Sequence, residues 1–308
     1  MKNKTMVTYF ILKGVSDVPE VQIVISLLVL LIYLITLGGN LTILLLVWLD
    51  SHLHTPMYFF LCNLSILNIF TPTVTLHKIL VMFVTGNNVM SFIHCTTQVY
   101  CFGWFGGNEL ILLTAMSYDR YIAICSPLNY SSVMNSRVCA GLTTFSWSIG
   151  LLEFLPIMIT LLQFSCYASN VINHFLCDIM ILKNITCNDN SILELEIFTM
   201  GALSVFTPFF LTFISYVIII ATILRIKSTT GRSKAFYTCS SHLTVVSLLY
   251  TSLVCQYLTP SSTFISTKLL TLLNTAVIPM LNPFIYSLKN TDVKTALQRK
   301  MKYLRSMF

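Results

Sequence analysis

Residues 21–49 read VQIVISLLVLLIYLITLGGNLTILLLVWL, a run without a single charge between Glu20 and Asp50. About 20 apolar residues in a helix rising 1.5 Å per residue cross a hydrocarbon layer roughly 30 Å thick, so this stretch is long enough to span a bilayer with some tilt. The rest of the chain has the same character. Only 9% of its 308 residues are Asp, Glu, Lys or Arg, where soluble chains carry about 25%. Another 56% are hydrophobic, 21 Phe and 14 Tyr among them, and the mean hydropathy is +0.80. One globular core could not hide that much oily surface, which excludes an ordinary soluble fold.

Further charge-free intervals lie between Glu196 and Arg225, Lys234 and Lys268, and Lys268 and Lys289. Two more helices fit between Asp50 and Cys125, separated by the turn-like Gly86-Asn87-Asn88, and the second of these tolerates Glu109. A last one, carrying Glu153 and Pro156, precedes Phe164. The sequence therefore predicts an all-α membrane protein. It is a single seven-transmembrane helix bundle over residues 1–308, with spans near 23–49, 57–78, 95–125, 138–164, 197–225, 235–259 and 269–288. Residues 1–22 read as a tail: the first span is too long for a signal-peptide core and no small-x-small cleavage site precedes it.

The net charge of +7 could suggest nucleic acid, but its distribution argues otherwise. With the N-terminus outside, Arg120, Arg137, Arg225, Lys227, Arg232, Lys234, Lys289, Lys294, Arg299, Lys300, Lys302 and Arg305 fall inside, twelve of the 18 basic residues. This is the positive-inside pattern of a multi-pass plasma-membrane protein with a cytoplasmic C-terminus, and no nucleic-acid partner is expected. At the end of the chain, Asn290-Thr291-Asp292 signals a helix start. Val293, Leu297, Met301 and Leu304 share one face and basic residues the other, predicting a short amphipathic helix near 291–305 laid on membrane lipid.

Of ten cysteines, Cys95, Cys166, Cys177 and Cys187 fall outside, where the environment is oxidising; four cysteines allow three pairings and spacing does not choose among them. A zinc site from His174 and Cys177 lacks further ligands, and neither metal nor cofactor is expected. Asn3-Lys4-Thr5 and Asn184-Ile185-Thr186 are external glycosylation sequons.

At the inner end of the third span stands Met116-Ser117-Tyr118-Asp119-Arg120-Tyr121-Ile122-Ala123-Ile124-Cys125. Arg120 is about 37 Å of helix from Cys95, at the opposite membrane face. With Gly39-Asn40, Leu53-His54-Thr55-Pro56-Met57-Tyr58, Ser126-Pro127-Leu128-Asn129-Tyr130, Ser215-Tyr216, Lys234-Ala235-Phe236-Tyr237-Thr238-Cys239-Ser240-Ser241-His242-Leu243 and Pro279-Met280-Leu281-Asn282-Pro283-Phe284-Ile285-Tyr286, the chain resembles a rhodopsin-like G-protein-coupled receptor, specifically a vertebrate odorant receptor. The Pro-Met-Tyr and Ser-Ser-His-Leu segments are what separate odorant receptors from other seven-helix receptors.

That resemblance implies disulfides Cys95–Cys177 and Cys166–Cys187. It implies a switch at the cytoplasmic face made of Asp119, Arg120, Tyr121, Tyr216, Asn282, Pro283 and Tyr286, in which Asp119 restrains Arg120. A freed Arg120 would then meet Tyr216, Tyr286 or a G-protein tail, while Pro208 and Pro283 favour kinks. Below Cys95 the third helix presents Phe102, Gly103, Gly106 and Gly107, whose small residues leave space either for a ligand or for a neighbouring helix. By analogy Ile179, Met200, Ser204, Tyr250, Leu253, Tyr257 and Thr275 face them. None is charged, so a small, neutral, largely apolar volatile is the expected ligand, and a stimulatory olfactory-type heterotrimeric G protein the expected partner. Amine-sensing relatives place an Asp where Phe102 stands here. A retinal adduct is excluded because residues 269–288 contain no Lys.

The chain departs from the resemblance where the second helix reads Leu64-Ser65-Ile66-Leu67-Asn68: the usual carboxylate of an internal cation site is the neutral Asn68. Glu109 could still hold sodium or simply be protonated. Glu153 has no motif behind it, and a structural or lipid-facing role is expected. The rival reading is a receptor of the same fold for a lipid or peptide. A transporter or channel is more remote, since only Glu109 and Glu153 are charged deep in the membrane. No enzyme is expected, because all six histidines read as lying at span ends or in loops and no buried Asp pair is apparent.

Overall fold

The computed structural model describes residues 7–16, 18–257, 267–288 and 291–305. Eight long helices follow one another, seven in a bundle and one appended. The first, Pro19–Leu49, opens on a proline, whose missing N–H costs nothing at a helix start. The second, Pro56–Thr85, begins the same way and ends at Gly86, whose φ of 68° is the left-handed conformation that glycine adopts without strain. The third, Phe92–Cys125, is capped by Ser91, whose hydroxyl accepts the His94 amide at 3.2 Å. Asn135 caps the fourth in the same manner through Arg137 and Val138.

The fourth helix is not the continuous span read from sequence. Ser136–Glu153 stops at Phe154 and Leu155–Gln163 restarts, because Pro156 in the first turn of the second segment has no N–H to continue the ladder. The fifth helix begins earlier than expected, at Ser191. It passes through a π-helical turn at Gly201–Phe206 immediately before Pro208 and runs on to Arg225. Such a widening absorbs the hydrogen bond that the proline ring removes. The sixth is Thr229–Tyr257. The seventh, Thr267–Leu288, carries a second π turn at Leu273–Val277, before Pro279 and Pro283.

Among the described residues, six of the seven bundle helices are long and apolar enough to cross a membrane; the third is the exception. It packs against the second, fourth, fifth and sixth, and residues such as Asn108, Ser117 and Asp119 are completely enclosed by them. A helix surrounded by protein can carry polar residues that a lipid-facing one cannot, which is why this central span falls short of the others in length of apolar run.

Residues 1–22 are not simply a tail. Tyr9–Leu12 form strand β1, the middle of a three-stranded sheet, antiparallel to β2 (Val89–Ser91) and parallel to β3 (Val171–Ile172). Phe10 and Leu12 alternate inward and are fully buried beside Cys95, Tyr167 and Cys177. The structure joins Cys95 to Cys177 and Cys166 to Cys187, with Cα separations of 5.4 and 5.3 Å. The Cys177 amide also donates to Gln98 Oε1 at 2.8 Å, so the long loop is fastened to the third helix twice.

The appended helix, Thr291–Arg305, is docked by Val293 and Ala296, both buried, whereas Leu297 stays 39% exposed. The side chains of Met301 and Leu304 lie outside the described residues. Arg299 pairs with Asp50 at 3.0 Å, and Tyr58 donates to Asp292 at 3.3 Å.

Candidate functional site

The residues singled out from the sequence lie at three levels of the bundle. Toward the Cys95 end the glycines of the third helix differ from one another. A Cβ on Gly103 would run into the Phe154 ring, so this glycine is there for helix packing. One on Gly107 would touch Ser204 Oγ at 3.5 Å, and one on Gly106 would meet nothing within 4 Å. Space therefore lies beside Gly106, with Phe102 one turn above it on the same face.

Across from this face, Ser204 is buried on the π turn of the fifth helix and donates to Glu153. Glu153 therefore points into the bundle rather than toward lipid. Tyr250 is buried with its ring edge-on to Phe209 at 5.1 Å, and its hydroxyl has no partner among the described residues. Leu253 packs in the same cluster. Thr275 spends its hydroxyl on the Thr271 carbonyl at 2.8 Å. Ile179 and Met200 belong to the outer cluster around the Cys95–Cys177 bridge. The Tyr257 side chain and Asn3 lie outside the described residues, while Asn184 is exposed. Two cavities, of about 170 and 250 Å³, open elsewhere: one beside the first helix, the other between the second and third near His77 and His94.

At mid-depth a chain of amides ties three helices together. Asn282 Nδ2 donates to Asn68 Oδ1 at 3.0 Å, Asn68 Nδ2 to Asn40 Oδ1 at 3.2 Å, and Asn40 Nδ2 to the Pro279 carbonyl at 3.3 Å. Asn68 acts here as both acceptor and donor, and an ionised carboxylate in its place could not donate. The neutral residue thus has a structural reason. Glu109 faces Asn282, and its Oε1 has no protein partner.

Toward the Cys125 end of the third helix Asp119 is fully buried. Its Oδ1 accepts from the Tyr130 hydroxyl at 2.7 Å, and its Oδ2 lies 3.3 Å from Arg120 Nη2. The carboxylate is held from two sides, one of them a charge-assisted hydrogen bond. Tyr216 is engaged by His242 rather than by Arg120: hydroxyl and Nδ1 are 2.7 Å apart and the rings stack with 11° between their planes. His242 corrects the placement of every histidine at a span end or in a loop, since it is fully buried within the sixth helix. Tyr286 is buried with its hydroxyl unpartnered among the described residues, and Tyr121 packs beside Tyr216. Pro283 rests against Gly39, where a Cβ would come within 3.0 Å of the proline ring. The roles of Tyr130 and His242 were missed from sequence, although both stand inside motifs already quoted.

The disulfide-bonded loop has its own electrostatics. His174 is buried, and that burial together with nearby Lys268 pulls its pKa down to about 4. Burial pushes the Asp178 carboxyl upward, against the amide of Met180 that it caps. Among the described residues no group of three His, Cys, Asp or Glu could hold a metal ion.

A family model described as olfactory receptor matches residues 29–303. Human olfactory receptor 2AP1 is 44% identical over 309 residues, covering all of both chains. Human olfactory receptors 6C3 and 6C1 are each 46% identical over 298 residues, 96% of both chains. Among solved structures, squid rhodopsin superposes with a TM-score of 0.70 at 19% identity, covering 94% of this chain and 83% of that one, which shows the shared fold. With the motifs, the family match and the seven-helix bundle in agreement, this chain is a multi-pass membrane receptor, not an enzyme, and belongs to the olfactory receptor family of rhodopsin-like G-protein-coupled receptors.

Proposed function

We propose that this receptor takes a small, neutral, largely apolar odorant in the outer half of the bundle and activates a stimulatory, olfactory-type G protein. Its N-terminus lies outside the cell and its basic C-terminal helix on the cytosolic leaflet. The odorant is assigned to the space beside Gly106, with Phe102, Gly107, Ser204, Tyr250, Leu253, Thr275, Met200 and Ile179 as its proposed lining; Tyr257 stays a candidate whose side chain lies outside the described residues. Burial and shape supply the affinity, and the free Tyr250 hydroxyl offers one hydrogen bond. Gly103 is left to packing.

The observation that carries the signalling half is the closed arrangement around Asp119, held by Tyr130 and Arg120 while Tyr216 is occupied by His242. An odorant that binds more tightly when these contacts are broken shifts the population toward a state in which Arg120 is free. Asn282, Pro283 and Tyr286 couple that change to the seventh helix. Glu109, beside the Asn68 amide bridge, is the acid assigned to a cation at mid-depth. Asn3 and Asn184 are the assigned glycosylation positions.

The test is a cyclic-AMP reporter in cells expressing the full chain, exposed to panels of volatiles, with Arg120→Ala alongside. Odorant responses lost in that variant at equal surface expression support the reading. Responses that persist refute the switch, and epitope tags placing both termini on one side of the membrane refute the topology.

A further inference from the structure

One cavity, of about 170 Å³, lies apart from the odorant region and meets the switch only at Pro283. Gly38, Gly39, Thr42, Ile43 and Leu46 of the first helix form one wall; Pro283, Phe284, Val293 and Leu297 form the other. It opens outward, because Gly38, Thr42, Phe284 and Leu297 are all exposed. Its one hydroxyl is out of play: Thr42 Oγ1 donates to the Gly38 carbonyl at 2.6 Å. The walls are thus apolar. The two glycines have separate duties. Gly39 lets the Pro283 ring approach, whereas a Cβ on Gly38 would meet nothing within 4 Å, so the missing side chain at Gly38 is part of the hollow.

We propose that this groove seats an acyl chain of an anionic phospholipid, with the lipid headgroup on Lys294. Depth argues for a lipid tail. From Leu46 to Gly38 the groove climbs eight residues of helix, about 12 Å, starting at the appended helix and reaching toward mid-bilayer, close to the half-thickness of a hydrocarbon core. Volume argues for a flexible chain, since drug-sized ligands need roughly 300–1,000 Å³. Charge argues for the anionic class. Lys294 is exposed and sits one turn before Leu297 at the groove's mouth, and half-buried Lys300 follows on the same basic helix. Asp292, the nearby acid, is engaged by the Tyr58 hydroxyl at 3.3 Å. The leaflet, though not the site, rests on the orientation proposed above.

Native mass spectrometry of the purified full-length receptor, exchanged into mixed micelles of equimolar phosphatidylserine and phosphatidylcholine, tests this directly. The wild type should retain phosphatidylserine over phosphatidylcholine by about fivefold, the factor that one surface lysine provides. Lys294→Gln should abolish that preference while lipid is still retained. Gly38→Leu should fill the hollow and lower retention of both lipids, and a leucine suits a helix interior better than glycine, so the fold is preserved. Equal retention of the two lipids by the wild type, or binding unchanged in both variants, overturns the proposal. Because no odorant or G protein enters this measurement, its failure is separate from failure of the receptor function.

Discussion

Acidifying the medium on the side of the disulfide-bonded loop should loosen that loop, and His174 sets the size of the effect. The ring is 2% exposed, stacks on Phe175 with centroids 4.6 Å apart, and accepts the Leu176 amide on Nδ1 at 3.3 Å. A proton on Nδ1 would destroy that hydrogen bond and leave a buried cation near Lys268. The folded pKa of about 4 lies below the ordinary 6.5, so the opened loop binds a proton that the closed loop refuses. The associated stability is fully present above about pH 6.5 and is lost as pH falls toward 4. At about pH 5 linkage gives a loss of ~2 kcal/mol, or about thirtyfold in the opening equilibrium. Hydrogen exchange of peptides covering residues 170–182, measured on receptor in nanodiscs at about pH 7.5 and pH 5 and corrected for intrinsic rates, should show that drop in protection. His174→Leu, which has nothing to titrate, should flatten it. Wild-type protection equal at both pH values, or an equal drop in the variant, would refute the reasoning.

Other consequences can be checked in cells. Tyr130→Phe leaves a buried Asp119 oxygen without its donor, a cost of about 1–3 kcal/mol to the closed state. Basal cyclic AMP without odorant should therefore rise several-fold at equal surface level, and an unchanged baseline would show that Tyr130 does not restrain the switch. Gly103→Leu should abolish surface expression through collision with Phe154, whereas Gly106→Ala should reach the surface normally and alter odorant potency; surface staining and dose–response curves separate the two. Cys95→Ser opens a loop of 82 residues, for which chain entropy predicts a loss of about 4–5 kcal/mol. Surface yield should collapse, and an undiminished yield would show that the bridge is dispensable.

Much of this architecture is legible in the sequence, for reasons that also explain what is not. The peripheral helices announce themselves because lipid tolerates only apolar faces, and the run from Val21 to Leu49 is the plainest instance. The third helix, shielded by its neighbours, is betrayed by Asp119-Arg120-Tyr121 and Cys95 rather than by hydropathy. Strand β1 was invisible because four residues, Tyr9–Leu12, carry too little periodic signal, and their partners lie far along the chain. The break at Phe154 could have been read from Pro156. That Gly103 serves packing while Gly106 borders space could not, since it depends on which ring from the fourth helix arrives opposite. The same is true of Tyr130 and His242: their motifs were evident, but hydrogen-bond partners are set by tertiary geometry.

The position of β1 bears on biosynthesis. Its parallel neighbour, paired through Ile11 with Val171 and Leu12 with Ile172, leaves the ribosome about 160 residues later, on the order of ten seconds at ordinary elongation rates. Strand β1 can therefore take up β2 once two helices have been inserted, but its sheet is complete only after four. A retention signal fused directly ahead of Tyr9 would be held against the closing sheet, so any leader or tag attached there needs a spacer long enough to leave the strand free to slot in.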